Sequence, residues 1–580
     1  MSRGATGWDL SVVFGDDAAA VAAAAALAVE AERFAVDAAG HLGVGLAGWV
    51  AELGRLEAEL DHVNEYARMR QYADANGPGV HDTVVRVQAA VTAARAALER
   101  ALDAWRALPD AEAAVRLEDA ELEPARYRLT RSRELARHRL SAEAEEVWTA
   151  RTDAARTRWA SLNDNVESAL RVRFDDGTGE RDWGVGDLGT VARRAEPDVR
   201  RAAYAALADA YASINEILAI SWDTLVLDRL VEDRLRGRDH PAQATLDDEG
   251  MPLAGFLSLV ELAPSRSAIR QRMLEAHARR LGLADYSVAD VDAPPPGMPP
   301  LTYDEVTETA VAGLGTLAPV LGDDARALAA LGRIDGETRP GKQQYAVTFS
   351  TLLDPPAFLS YRFTGSPANV PLLGHELGHA VALARSAAAQ PAVARGWPGV
   401  AFEVPSLTAE IAAGDVLAER YPEHAEVARF VAAQDLAWSA FETVAFCHVE
   451  LDLYAARAGG TVLDADLIRD TFRRRFSDLY GSGVPFDDQD ALVTMGGWAN
   501  YAMHDRFYNF QYAVGALVAL ALHARRREDP ERFATDYVAF LSQGRSASPT
   551  DQLARFGLVL DWATWSAGYD ELERRFAELT

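Results

Sequence analysis

Leu373-Gly374-His375-Glu376-Leu377-Gly378-His379-Ala380 is the stretch from which the rest of this 580-residue chain can be read. On a helix, His375 and His379 leave the same face one turn apart. Two neutral imidazoles so placed can bind one Zn2+. Glu376, beside the first, can accept a proton from a metal-bound water without entering the coordination sphere. The competing reading is an ordinary helix that carries the pattern by chance. With 12 His in the chain, chance would produce it in about a few such chains per hundred.

The flanks favour a helix with a purpose. Asn369 or Ser366 can cap it, and Pro371 is tolerated in a first turn, where its missing N–H has no partner to lose. The run Ala380-Val381-Ala382-Leu383-Ala384 carries the helix into a core, and buried His and Glu need a reason to be there.

A third protein ligand is expected downstream, in Phe402-Glu403-Val404-Pro405-Ser406-Leu407-Thr408-Ala409-Glu410. Glu403 is the candidate, and Glu410, seven residues on and on the same face, suits a partner that fixes a histidine tautomer. Spacing alone leaves both equally readable as solvated surface acids. The pair Cys447-His448 is no competitor, because adjacent helical residues point in different directions.

Upstream, residues 341–365 read as strands at Tyr345–Ser350 and Ala357–Thr364, with Asp354-Pro355-Pro356 between them. Such a sheet can offer an edge to an extended peptide or simply cover the helix. Lys342, the only lysine, lies 33 residues before the motif and reads as structural or substrate-facing. Towards the C-terminus, His504, Tyr508 and Tyr512 fall at i, i+4 and i+8, a polar stripe on one helix. Their hydrogen-bonding tips suit an oxyanion, although an aromatic core stripe fits the same spacing.

The remaining chain reads as mainly helical. Residues 17–110 carry long amphipathic helices, notably 55–74 and 84–107. Ser141 opens a helix to about Leu170, Arg171–Trp183 suggests a hairpin about Asp176-Gly177-Thr178-Gly179, and helices resume from Leu188 to about Leu235. A soft boundary at 185–200 divides an N-terminal helical lobe, 1–190, from a catalytic domain, 191–580. The single Cys excludes a disulfide framework and a cysteine-based zinc site. The net charge of −29 argues against nucleic acid and anionic membrane as partners. Residues 18–29 are apolar but only twelve long, so a helix is expected there and the protein is expected in the cytoplasm.

Together these segments resemble oligoendopeptidase F and its relatives among the thimet-oligopeptidase-like (M3) zinc metallopeptidases. The resemblance runs from Trp8-Asp9-Leu10-Ser11 through Gly341-Lys342, Tyr361–Gly365, the HELGH motif and Glu403-x-Pro-Ser-x-x-x-Glu410 to Tyr512-Ala513-x-Gly515. It implies a mainly α fold, with two helical lobes flanking a deep substrate channel and a small sheet beside the zinc helix. It implies one Zn2+ per chain held by His375, His379 and Glu403, with Glu376 as base. Tyr361, Phe363 and Gly365 fall on the substrate side, and His504, Tyr508 and Tyr512 where the family has its oxyanion and substrate contacts. The implied activity is endopeptidase cleavage of short unstructured oligopeptides. A dedicated processing peptidase, for example one removing a leader from a peptide natural product, and a non-catalytic peptide-binding relative are the alternatives. The chain departs from the family at Ala382, where members often carry a further His, at Gln343-Gln344-Tyr345, and in a tighter His504–Tyr512 spacing.

Overall fold

The computed structural model describes residues 7–579 apart from 340, 344, 352 and 354–356. The fold is mainly helical, with two small sheets. It divides into two compact units, each drawn from three stretches of the chain. The first is Met1–Arg137, Met298–Ala428 and Leu522–Val559; the second is His138–Gly297, Arg429–Ala521 and Leu560–Thr580. The 190/191 position lies inside the second unit.

In the first unit, three long helices, Asp17–Val36, Leu46–Ala73 and Val80–Arg106, pack on one another. Asp16 caps the first by accepting from the Ala19 amide. Its buried face, Ala20, Ala24, Leu27, Ala31 and Phe34, recurs every three or four residues and joins the core. This helix is longer than the twelve-residue apolar run. By length and composition Leu10–Val36 would suffice to cross a membrane; here one face is packed against protein. Trp8 ties the start of the chain to the small sheet: its Nε1–H lies 2.9 Å from both the Arg333 and Leu359 carbonyls. Its ring meets Phe349 and Phe358 edge-on.

That sheet has the order β3–β5–β4. β3 is Ile334–Asp335, β4 is Val347–Phe349 and β5 is Phe358–Ser360. β4 runs antiparallel to β5, and β3 parallel to it. The strands are shorter than expected, and β3 was not expected, since two residues show no alternation. Asp354-Pro355-Pro356 lies outside the described residues. Lys342 is buried, and its ammonium lies within 2.7–3.0 Å of Asp335 O, Asp335 Oδ1, Glu337 O and Tyr361 O. It therefore pins β3 to the chain leaving β5, a structural role.

In the second unit the expected hairpin is present, as β1 (Arg171–Asp175) paired antiparallel with β2 (Glu180–Gly184). A 40-residue helix, Pro197–Arg236, ends on Gly237 at φ +65, the left-handed cap that glycine adopts without strain. The helix expected from Ser141 to Leu170 is instead two, Ala142–Ala154 and Arg156–Ala169, broken at Ala155. Cys447 is buried, and His448 Nε2 lies 2.9 Å from the Val260 carbonyl.

His277 is fully buried in this unit. Its Nε2 lies 3.0 Å from the Ala293 carbonyl, and its Nδ1 lies 2.9 Å from the Tyr286 hydroxyl and 3.1 Å from Gln434 Nε2. The ring thus fits as the neutral Nε2–H tautomer, and a second proton would face the Gln434 amide donor. Burial holds its pKa down to about 4, against the hydrogen bond to Ala293. Because the folded pKa lies below the unfolded 6.5, this stability is complete above pH 6.5 and is lost as pH falls through 4. The loss is about 3 kcal/mol. Denaturant titrations from pH 7 to 4 should show His277→Gln with a shallower acid loss than the wild type, by up to that amount.

Candidate metal centre

The motif helix runs Asn369–Ala389 and packs against a second helix, Gly399–Arg420. Two motif glycines make the crossing possible. A Cβ on Gly378 would stand 2.7 Å from the Pro405 carbonyl and 2.8 Å from Ser406 Cα; one on Gly374 would stand 2.6 Å from Ala413 Cβ. Any side chain at either place would push the helices apart. Neither Asn369 nor Ser366 is the N-cap, which is Ala368 without a side-chain bond. Asn369 instead holds the preceding segment: its Oδ1 accepts from the Thr364 amide at 2.9 Å and its Nδ2 donates to Arg362 O at 3.1 Å. The cap was misassigned because Asn369 has longer-range backbone partners that outcompete the cap.

The crossing brings the donors together. Oε2 of Glu403 lies 3.4 Å from Nε2 of His375 and 3.4 Å from Nε2 of His379. One ligand atom from each of the three residues lies within 4.8 Å of the others. Ligands held about 2.1 Å from a common centre at tetrahedral angles stand about 3.4 Å apart, so the donor set fits a tetrahedral Zn2+ site. His375 Nδ1–H donates to Glu410 Oε2 at 2.9 Å, which turns Nε2 towards Glu403. The His379 ring stacks on Phe402 at 4.1 Å. Ser406 Oγ lies 3.0 Å from Glu403 Oε2 and 2.9 Å from the Glu403 carbonyl. Glu376 is buried, with its Oε2 2.6 Å from the Thr348 hydroxyl on β4.

The electrostatics fit a cation. Burial disfavours charge on His375, but hydrogen bonds to Glu403 and Glu410 outweigh it and hold the imidazolium well above its usual range. Burial likewise opposes charge on Glu403, yet His379 and His375 keep its pKa well below that of an ordinary carboxylate. Burial raises the pKa of Glu376 against the pull of both histidines and of Thr348. Two buried carboxylates crowd two imidazoles, and a metal would take the place of the shared protons.

The first unit also holds Tyr361, Phe363 and Gly365. Tyr361 is buried with its ring 6.5 Å from that of Tyr303, and Phe363 meets Tyr303 edge-on. Gly365, at φ +75, accepts from the Leu301 amide at 2.8 Å. His504, Tyr508 and Tyr512 belong to the second unit. They do not share one helix as expected: one ends at His504, the next begins at Phe510, and Phe507 at φ +57 interrupts the path. The two tyrosine hydroxyls still lie 3.4 Å apart. His504 Nε2 lies 2.9 Å from Asp164 Oδ2, and that bond holds its pKa up. Sequence reasoning passed over Thr348 and Ser406. Ser406 stood in the Glu403 block and could have been read one turn on from it; nothing local marked Thr348.

The model of peptidase family M3 matches residues 319–563, which include the whole donor set. Among curated proteins, the chromosomal oligoendopeptidase F of Lactococcus lactis subsp. cremoris is 23% identical over 401 residues; the alignment covers 68% of this chain and 65% of that protein. The chain thus spans slightly less than two thirds of that relative's length. Among solved structures, a putative peptidase from Chlamydophila abortus superposes with a TM-score of 0.79 at 18% identity, over 99% of this chain and 98% of that one. Oligoendopeptidase-F from Enterococcus faecium superposes at 0.71 and 17% identity, over 95% and 96%. Residues 319–563, less than half of the chain, thus match peptidase family M3, and the curated relatives and solved structures the chain is similar to include oligoendopeptidase F.

Two measurements check the geometry. Elemental analysis should find about one Zn2+ per chain. Glu403→Ala should lose it, and Glu410→Ala should weaken binding about 10–100-fold through the freed His375 ring. Gly378→Ala should cost about 1–3 kcal/mol in unfolding free energy and lower metal occupancy, because the helices must separate.

Proposed function

We propose that this protein is a zinc-dependent endopeptidase that hydrolyses peptide bonds in short unstructured oligopeptides in the cytoplasm. The observation that carries this reading is the pair of His Nε2 atoms 3.4 Å from one Glu403 oxygen, with the Glu376 carboxyl buried beside them. The relatives' names, oligoendopeptidase F among them, supply the substrate class.

His375, His379 and Glu403 would hold the ion. When bound, Zn2+ supplies Lewis acidity that polarises a carbonyl and makes water more acidic near neutral pH. Glu376 does the proton work. Its carboxyl takes a proton from the attacking water and returns it to the leaving amine. The Thr348 hydroxyl, 2.6 Å from Oε2, holds that carboxyl in one orientation. Glu410 keeps His375 facing the centre, and Ser406 steadies Glu403. Tyr508 and Tyr512 are the proposed donors to the oxyanion and His504 a further substrate contact, with Tyr361, Phe363 and Gly365 on the substrate side.

Glu376→Gln should bind metal as the wild type does and turn over a fluorogenic peptide at a small fraction of its rate, since the amide cannot take the proton. Near-normal turnover by the zinc-loaded variant would sink the assignment. Tyr512→Phe should lower kcat by about 10²–10³ with little change in KM, as expected for a group acting mainly in the transition state.

A further inference from the structure

The turn that carries Tyr508 and leads into the helix of Tyr512 is strained and closely held. Phe507, at φ +57, is the only non-glycine residue with positive φ among those described. For a bulky L-residue that conformation costs about 1–2 kcal/mol and persists only where the surroundings impose it. Four side chains from three helices do so. Arg229, on Pro197–Arg236, donates to the carbonyls of Ala502, Met503 and His504 at 2.7, 2.7 and 3.0 Å, the free acceptors at the end of helix Asp488–His504. Asp233, one turn on, takes both prongs of buried Arg506 at 2.5 and 2.7 Å. Thr245, on Gln243–Glu249, donates to Arg506 O at 2.9 Å. Glu450, on Thr443–Ala458, accepts from the Phe507 amide at 2.7 Å. The Phe507 ring is stacked with Tyr454 and edge-on to Phe256.

Glu450 is the unusual member. Its carboxyl is buried and serves one backbone amide, with Arg229 and Arg506 as its cationic neighbours, Asp233 paired to Arg506, and Cys447 and Tyr454 on its own helix. Burial pushes its pKa up to about 8, against the Phe507 amide and the two arginines. An apolar helix face with a glycine at 507 would close the same turn without a buried acid or a strained backbone. What the observed arrangement adds is a single position for the residues on either side.

We propose that Glu450 is a positioning residue: its bond to the Phe507 amide, backed by Arg229 and Asp233, fixes His504, Tyr508 and Tyr512 relative to one another and so sets the rate of peptide hydrolysis. The inference rests on the peptidase reading and on those three side chains meeting substrate.

The test compares Glu450→Leu, which removes the acceptor, with Glu450→Gln, which keeps an acceptor oxygen, using the full zinc-loaded chain and an unstructured fluorogenic peptide. Glu450→Leu should lower kcat about 10–100-fold, because small misplacements of reacting groups are costly. Its KM should stay within about threefold and its zinc content unchanged. Glu450→Gln should recover kcat to within about threefold of wild type. A leucine variant within about threefold of wild-type kcat, or a glutamine variant no better than leucine, overturns the positioning role. Should Glu450→Leu fail to fold, amide hydrogen exchange on the wild type decides: protection at Phe507 matching the flanking helices supports the proposal, and exchange as fast as an open loop overturns it. A zinc-loaded wild type that cuts no peptide overturns the peptidase reading itself, a result distinct from either variant outcome.

Discussion

Everything at the candidate metal centre depends on how closely two helices cross. Gly374 and Gly378 present bare backbone to the helix that carries Glu403, and the nearest atoms opposite are Ala413 Cβ and the Pro405 carbonyl. Helices with ordinary side chains at the contact lie about 8–10 Å apart. At the closer approach that glycine permits, the Glu403 carboxylate reaches the histidines of the neighbouring helix. The same two elements then supply all three donors, and Glu410, seven residues beyond Glu403, reaches the outer nitrogen of His375. The small residues of HELGH are therefore as much part of the site as its histidines.

The close packing has an electrostatic consequence. Three buried carboxylates, the buried His379 ring and the partly exposed His375 ring lie together where water screens charge poorly. Without a cation, Glu403 and Glu410 hold the proton on His375 more tightly than an ordinary imidazole would. Such a centre favours a divalent ion for the reason that it would cost stability without one. Glu376 feels the same charges but is not one of the three clustered donors: its carboxyl meets the Thr348 hydroxyl on β4. One short strand thereby positions the Glu376 carboxyl, while Lys342 and Trp8 hold the sheet to which that strand belongs.

The second unit handles strain in the opposite way. Instead of small residues that permit close contact, it uses Arg229, Asp233, Thr245 and Glu450 to impose a backbone conformation that Phe507 disfavours. Buried charges used in this way give little net stability. They do give a unique geometry, which is what a segment carrying three polar side chains needs.

The sequence by itself determined the helical class, the hairpin at 171–184 and the long N-terminal helices, because these follow from local periodicity, capping and turn chemistry; it also named the three residues that the fold gathers into a group able to hold a metal. His375, Glu376 and His379 were legible through spacing on one helix; Glu403 and Glu410 were legible as candidates but not as contacts. Only the tertiary structure decided that Glu403 faces both histidines, that Thr348 meets Glu376, that Asn369 ties down a preceding loop and that β3 completes the sheet. It also broke the expected His504–Tyr512 helix at Phe507, since four distant side chains outweigh a local preference that spacing alone would follow. Interactions within a turn or two of chain are written in residue order. Those that join residues tens or hundreds of positions apart depend on how close two backbones come, and no single segment encodes that distance.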